Sequence, residues 1–169
     1  TLTATGNTPC GNITSTMVLT IVPAPTAIAG LDASICEGFS HTIISGLPNG
    51  SSASNNSGIS WSSSGTGTFT NGTTLTPTYT PSAADIAAGS VILTLTATGN
   101  TPCGNITSTM VLTIDREGCI DPSSCNYNPL ATCDDGTCLT AYGCTDATAC
   151  NYDAAANCDD GTCLTAYGC

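Results

Sequence analysis

The chain has 169 residues with 12 acidic side chains and one basic side chain, Arg116, giving a formal net charge of −11. We therefore expect no nucleic-acid partner and no attraction to anionic lipid, because both need a cationic surface. The 12 cysteines predict an oxidising compartment, since cytosolic thiols are kept reduced. With one histidine, His41, and no Cys-x-x-Cys pair, disulfides are expected rather than zinc thiolates.

The first 21 residues are repeated later in the chain. Residues 1–21 and 94–114 are identical, and the offset of 93 residues suits a β-sandwich domain. If 94–114 closes one domain, then 1–21 supplies the final strands of a preceding one, with 23–25 as the linker. The alternative is a donor-type segment that completes a neighbouring subunit's sheet by strand exchange.

Residues 22–114 are predicted to form a β domain. Residues 91–97 alternate apolar and hydroxylated side chains, which is typical of a half-buried strand, and 110–114 behave similarly. Shorter strands are expected at residues 34–36, 41–45, 59–62, 67–70 and 75–80.

Further local features of the chain can be predicted. Residues 46–58 are expected to form a polar loop. Residues 82–89 predict one or two helical turns, with Ser82 as the N-cap and Gly89 as the stop. Trp61 is expected to pack in the core. Candidate glycosylation sites are the sequon asparagines Asn12, Asn49, Asn55, Asn71 and Asn105.

A 25-residue pattern occurs twice after the β domain. Residues 119–143 (copy 1) and 144–168 (copy 2) are identical at 17 positions, and Cys169 begins a third copy. A segment of this size cannot bury a core, so disulfides, metals or stacked neighbours must stabilise it. Four cysteines per copy supply two bridges, for which three pairings exist.

Oxygen-bearing side chains recur in register in the two copies. Clustered carboxylates repel one another unless a cation neutralises them, and calcium takes six to eight oxygen ligands, so we expect calcium here. The alternative is that Asp-Asp-Gly is only a turn, with Gly136 or Gly161 at positive φ. The expected ligands are Asp121, Asn126, Asp134 and Asp135 in copy 1, and Asp146, Asn151, Asp159 and Asp160 in copy 2.

The chain resembles a class of large surface proteins. The runs PTAIAGLDASICEG, SGTGTFTNG, TYTPSAADIAAGSVILTLTATG and NTPCGN, with Trp61 among them, are similar to Ig-like or PKD-like repeats of Bacteroidota. The two copies are similar to GCTDxxACNYxxxAxxDDGSC repeats near the ends of such proteins. The resemblance implies a secreted, multi-domain, adhesive or filamentous protein.

The resemblance also implies a set of disulfides. It suggests a bridge between Cys36 and Cys103 and supports nested pairs within each copy. Cys10 and Cys169 are then left over, and Cys10–Cys36 is a competing pairing. The nested pairs are Cys119–Cys138 around Cys125–Cys133, and Cys144–Cys163 around Cys150–Cys158.

These features predict a mainly β fold: a β-sandwich, Ig-like or jelly-roll, followed by disulfide-rich, metal-stabilised tandem repeats with little regular secondary structure. The expected divisions are 1–21, 22–114, 115–143 and 144–169. We expect a structural subunit or segment of an extracellular bacterial fibre or surface stalk, with an adhesin or carbohydrate-binding module as the alternative. Its partners would be copies of itself, adjacent repeats or glycans.

Two classes of function are not expected. No apolar run is long enough to span a membrane. One histidine and no lysine leave few groups to activate a nucleophile, so catalysis is not expected.

Overall fold

The computed structural model describes residues 1–164, which form mainly short β-strands. The first strands are β1 (Leu2–Ala4), β2 (Ile13–Ser15), β3 (Thr26–Ile28), β4 (Ala33–Cys36), β5 (His41–Thr42), β6 (Ser52–Ser54), β7 (Asn56–Ser63) and β8 (Thr68–Thr70). They are followed by β9 (Thr78–Thr80), helix α1 (Ala83–Ala88), β10 (Ser90–Gly99), β11 (Ile106–Asp115), β12 (Glu117–Gly118), β13 (Cys133–Asp134), β14 (Tyr142–Gly143) and β15 (Cys158–Asp159). The predicted mainly β class is confirmed.

The largest sheet has four strands in the order β4-β11-β10-β7. β10 runs antiparallel to both β11 and β7, whereas β4 runs parallel to β11. Val91, Leu93 and Leu95 of β10 are buried while Ile92 between them is exposed, so the predicted half-buried strand is confirmed. β10 and β11 are therefore the two central strands, and each forms backbone hydrogen bonds with a strand on both sides.

An apolar cluster contains side chains from this sheet and from the smaller ones. The other sheets of this region are the three-stranded β5-β9-β8 and the two-stranded β3-β6. The cluster includes Tyr79 of β9, Leu93 of β10 and Leu112 of β11, all fully buried. Trp61 of β7 belongs to it, is 8% exposed, and donates from Nε1 to the Thr74 carbonyl at 3.1 Å. The predicted core role of Trp61 is confirmed.

Helix α1 begins and ends where the sequence predicts. The Ser82 hydroxyl accepts from the Asp85 N–H at 3.2 Å, and the Asp85 carboxylate accepts from the Ser82 N–H at 2.9 Å. This reciprocal pair is a capping box, which satisfies two N–H groups that lack partners within the helix. Gly89 ends the helix at φ 76°, a left-handed conformation that glycine adopts without strain.

The Asp85 carboxylate is a buried polar centre that the sequence pattern did not reveal. It is 2% exposed. Besides the cap, Oδ1 accepts from the Thr66 N–H at 3.0 Å, and Oδ2 accepts from the Gly67 N–H and the Tyr79 hydroxyl at 2.8 Å each. Burial raises the pKa of Asp85, but these hydrogen bonds outweigh it and lower the pKa to about 2. The carboxylate thereby ties the 65–67 turn, β9 and α1 together.

The predicted loop at 46–58 is partly wrong. Ser52–Ser54 forms β6 and pairs antiparallel with β3, and β7 begins at Asn56. β3 was also not predicted. The facing residues Ala27 and Ala53 are small, so neither strand shows the apolar alternation by which strands are recognised.

The C-terminal part has little regular secondary structure, as expected. Its strands are two-residue parallel pairs, β12 with β13 and β14 with β15. Copy 1 is anchored to the end of the large sheet, where the Thr132 hydroxyl donates to the Asp115 carboxylate at 2.9 Å. Within residues 1–164, none of the helices has the length and apolar character needed to cross a membrane.

Candidate functional site

The candidate functional site is the set of disulfides that connects the β region (residues 22–115) with copies 1 and 2. Two bridges lie within a copy, Cys119–Cys138 and Cys144–Cys163, each with Cα atoms 4.8 Å apart. These two are the outer pairs expected from the sequence. The other two bridges with both cysteines within residues 1–164 cross between parts of the chain, and both differ from expectation.

The expected Cys36–Cys103 bridge is wrong, because Cys36 is bonded to Cys133 with Cα atoms 5.9 Å apart. β4 lies parallel to β11 with Cys36 opposite Asp115, so Cys36 is at the end where the chain leaves the sheet. The Cys133 N–H donates to the Arg116 carbonyl at 3.0 Å, which holds Cys133 at the same end. Cys103 precedes β11, so the length of that strand, roughly 30 Å, separates it from Cys36.

The expected inner pairs are also wrong. Cys133 is taken by Cys36, so Cys125 is bonded instead to Cys158, with Cα atoms 5.9 Å apart. The Cys158 N–H donates to the Ala141 carbonyl at 3.0 Å, which places Cys158 against the end of copy 1. Cys150 is likewise in a disulfide, although not with Cys158.

Two cysteines of the described residues, Cys10 and Cys103, are free thiols. Cys10 is an exposed free thiol, so the competing Cys10–Cys36 bridge is absent. Cys103 is also a free thiol, with Sγ 3.7 Å from the Val22 carbonyl oxygen. Cys169 lies outside the described residues.

The asparagine proposed as a metal ligand in each copy is a backbone clamp. The Asn126 side chain donates to the Thr137 carbonyl at 2.9 Å and accepts from the Leu139 N–H at 2.8 Å. Asn151 makes the corresponding two bonds in copy 2, at 2.8 and 2.7 Å. Both the oxygen and the nitrogen of each amide are thus engaged in holding the copy closed.

The recurring aspartates build turns in both copies. Asp135 Oδ1 accepts from the Thr137 hydroxyl at 2.6 Å and from its N–H at 2.9 Å, and these bonds lower the pKa of Asp135. Asp121, Asp146 and Asp160 accept in the same way from the residue two positions on, and their pKa values are lowered for the same reason. These are Asx turns, in which the side chain replaces a backbone acceptor.

The Asp-Asp-Gly turn itself has the expected geometry. Asp134 and Asp159 accept from the N–H groups of Gly136 and Gly161, at 3.2 and 3.0 Å. The two glycines have φ 71° and 74°, a left-handed conformation that other residues adopt only with strain. The part of the turn interpretation that concerns backbone conformation is therefore confirmed.

Calcium binding to the copies stays a prediction. Among residues 1–164 there is no group of three or more His, Cys, Asp or Glu side chains arranged to hold a metal ion. In each proposed aspartate, Oδ1 accepts a hydrogen bond within its own turn. Calcium would therefore have to be coordinated mainly by the other carboxylate oxygen, Oδ2.

The five sequon asparagines are all exposed. Asn12 and Asn105 accept from the Gly6 and Gly99 N–H groups at 3.1 and 3.2 Å, so their carbonyl oxygens close the two hairpin turns. Asn55 donates to the Ala24 carbonyl from Nδ2, the atom to which a glycan would be attached. Glycosylation stays a prediction at all five positions, Asn12, Asn49, Asn55, Asn71 and Asn105.

A cavity of about 330 Å³ lies beside β4 and β5. Ile43 and Met110 line it together with two titratable groups, Asp32 and His41. The Asp32 carboxylate accepts from the Val111 N–H at 2.7 Å, and burial lowers the pKa of His41. Asp32 thereby fixes the segment before β4 to β11.

Comparison of the chain with protein-family models, curated proteins and solved structures gives no match. Function is therefore inferred from the geometry above. The sequence identified the cysteines of the site but did not show how they pair. The spacing of cysteines along the chain does not distinguish a bridge within a copy from a bridge to the preceding part of the chain.

Proposed function

We propose that the chain is a structural segment of an extracellular fibre or surface stalk. The main support is that disulfides join successive parts of the chain. Cys36–Cys133 joins the β region to copy 1, and Cys125–Cys158 joins copy 1 to copy 2. The third cysteine of each copy thus bonds to the part before it. Links of this kind suit an elongated array, because each copy is locked to its predecessor.

The Cys36–Cys133 bridge also suits a load-bearing role. Its cysteines are 97 residues apart, and the loop between them contains most of the β region. Tension applied to the chain ends crosses the bridge, so the enclosed strands cannot be drawn out while it is intact. At about 3.5 Å per extended residue, the bridge withholds roughly 300 Å of chain.

An extracellular setting and a β-sandwich belong to the same proposal. Disulfides in this number persist in oxidising compartments, which supports secretion. The apolar cluster shared by the four-stranded and three-stranded sheets supports a sandwich. The resemblance to Bacteroidota surface repeats supports a fibrous, non-catalytic role.

Electron microscopy of the native secreted assembly tests the fibre. We expect elongated particles in which the chain is one segment of a longer thread. Isolated compact monomers in the native preparation would contradict the proposal.

Single-molecule pulling tests the load path. The Cys36→Ser, Cys133→Ser double variant should release roughly 300 Å more chain than the wild type. The matched control is Cys119→Ser with Cys138→Ser, whose bridge lies off the path of tension once Cys36 and Cys133 are joined. Equal extension of wild type and the Cys36, Cys133 variant would refute the load-bearing role.

We further propose that calcium neutralises the acidic turns of the copies. The support is the recurrence of exposed carboxylates in register, on a chain whose net charge is −11. Calcium should raise the melting temperature of copies 1 and 2 relative to EGTA, and Asp135→Ala should weaken the effect in copy 1 while the β region stays folded. Identical melting curves in calcium and EGTA would contradict the calcium proposal, and the aspartates would then serve only to form turns.

A further inference from the structure

The N-terminal hairpin (residues 1–21) has the strand register of β10–β11 next to its turn but lacks the surroundings of that pair. Leu2 faces Ser15 in the hairpin, as Leu95 faces Ser108 in the large sheet. β1 and β2 form a two-stranded sheet of their own, and within residues 1–164 no third strand pairs with them. The identical sequence therefore forms the same hairpin turn at both positions, but only β10–β11 packs against neighbouring strands.

The difference in packing appears as exposed apolar side chains. Leu19 is 76% exposed, whereas its counterpart Leu112 is fully buried. Met17 and Ile21 are 79% and 83% exposed, while their counterparts are each 3% exposed. Large apolar side chains exposed together in one short segment mark an interface rather than a free surface.

The structure shows what covers the same residues when the hairpin is packed. β10 is flanked by β7 and β11 is flanked by β4, and their buried side chains join the cluster around Trp61 and Tyr79. The surface complementary to the N-terminal hairpin is thus the one that residues 22–93 offer to 94–114. We call residues 22–93 together with a closing pair of strands a β unit. The partner that fits the N-terminal hairpin is therefore a β unit that lacks its own closing pair of strands.

A second copy of this chain does not meet that requirement. Residues 1–164 contain one β unit and two copies of this hairpin, and β10–β11 already fills the unit. Inserting the N-terminal hairpin into another copy would expel an identical hairpin, so no additional apolar surface would be buried. Any number of copies leaves half of the hairpins uncovered.

A β unit without these strands would be unstable by itself. β10 and β11 are the two central strands in the order β4-β11-β10-β7, and without them β4 and β7 have no neighbour in that sheet. Such a unit needs its hairpin at high effective concentration, which a covalent connection provides.

We propose that the N-terminal hairpin is the closing pair of strands of another β unit of the 22–93 type, continuous with Thr1 in the same polypeptide. The inference deepens the proposed function, because it names the neighbour to which this segment is joined and makes β units the repeating element on that side. It depends on the hairpin alone, so it can fail while fibres are still observed.

Hydrogen exchange on an extended chain tests the proposal. Residues 22–93 are fused directly ahead of Thr1, and the fused protein is compared with the unextended chain. Thr20→Ser in both proteins changes the mass of the hairpin peptides, which are otherwise indistinguishable from those of 94–114. Thr113, the counterpart of Thr20, is exposed, so this change should be structurally neutral.

The expected result is that amides of 17–21 exchange at least about 100-fold more slowly in the extended chain, as slowly as those of 110–114. Leu19→Asp should abolish this protection, while the matched Val18→Asp should retain it, since Val111 is 38% exposed in its packed setting. Unchanged exchange on extension would overturn the proposal. So would a dimer of the unextended chain in which 17–21 are protected, because its partner would then be a second copy.

Discussion

Cys125 and Cys158 lie in consecutive 25-residue copies and form a disulfide with their Cα atoms 5.9 Å apart. The sequence favours bridges within each copy, because the same four cysteines recur in both. The structure instead uses the second cysteine of copy 1 and the third cysteine of copy 2. This pairing adds a covalent link between copy 1 and copy 2 besides the backbone that already connects them.

Removing that bridge should loosen copy 2 and spare the β region. The Cys125→Ala, Cys158→Ala double variant opens a loop between residues 33 positions apart, so copy 2 should lose about 3 kcal/mol of unfolding free energy. Hydrogen exchange should accelerate in residues 150–164 and stay unchanged in β10 and β11. Cys10→Ala is the control, because Cys10 is a free thiol. Unchanged exchange in copy 2 would show that the bridge does not stabilise it.

Disulfide mapping of the unreduced protein should recover a peptide that links Cys36 with Cys133. Cys103 should react with an alkylating reagent without reduction, because it is a free thiol. Mass spectrometry of a digest prepared at acid pH, where thiol exchange is slow, measures both. A peptide linking Cys36 with Cys103 would instead support the pairing implied by resemblance and contradict the geometry at the end of β4.

Asp85→Asn should destabilise the β region by about 2 to 3 kcal/mol. An amide keeps the shape but loses the charge that several donors share, and it places N–H groups where acceptors are needed. Chemical denaturation measures the change. Asp153→Asn is the matched control, since Asn128 at the corresponding position makes the same hydrogen bond to the residue two positions on. Equal stability of the two variants would remove the special role of Asp85.

The same carboxylate predicts an acid transition. The pKa of Asp85 falls from 3.8 to about 2 on folding, so the ionised group stabilises the folded state above about pH 4. This contribution, roughly 2 kcal/mol, is lost as the pH falls from about 4 to 2, when the folded state must also bind the proton. Unfolding free energy measured against pH should fall in that window for wild type and be flatter there for Asp85→Asn.

Gly67→Ala should be strongly destabilising, by about 2 kcal/mol or more. A Cβ at Gly67 would lie 2.5 Å from the Thr80 carbonyl oxygen and 2.5 Å from the Tyr79 hydroxyl, and the backbone oxygen cannot move aside. Gly58→Ala in β7 is the control, because a Cβ there meets no atom within 4 Å. Thermal melts of the two variants should separate clearly, and coincident melts would show that the turn at 65–67 relaxes.

Local sequence signals identified the elements whose own side chains carry the information. Alternation in 91–97 predicts the strand, and Ser82 and Gly89 predict the helix ends, because capping depends on residues within one turn. Asp-Asp-Gly likewise predicts its own turn. β3 and β6 escaped prediction since they are held by backbone pairing between small residues, which leaves no periodic pattern.

The cysteine partners and the buried Asp85 depend on distant residues. Asp85 gathers N–H groups from residues 66 and 67 and a hydroxyl from Tyr79, and their approach is a result of folding. Cys36 meets Cys133 because β4 adds to the edge of β11 in parallel, which carries its last residue to the start of copy 1. No spacing along the chain encodes that approach.

The sequence by itself determined the mainly β class, the identity of 1–21 with 94–114, the stapled acidic copies and the turns that build them, since each follows from residue type or from interactions between near neighbours. Only the tertiary structure decided which cysteines bond and that one of two identical hairpins is buried while the other is exposed. The reason is that disulfide pairing and burial depend on which surfaces meet in space, and identical segments have different surroundings.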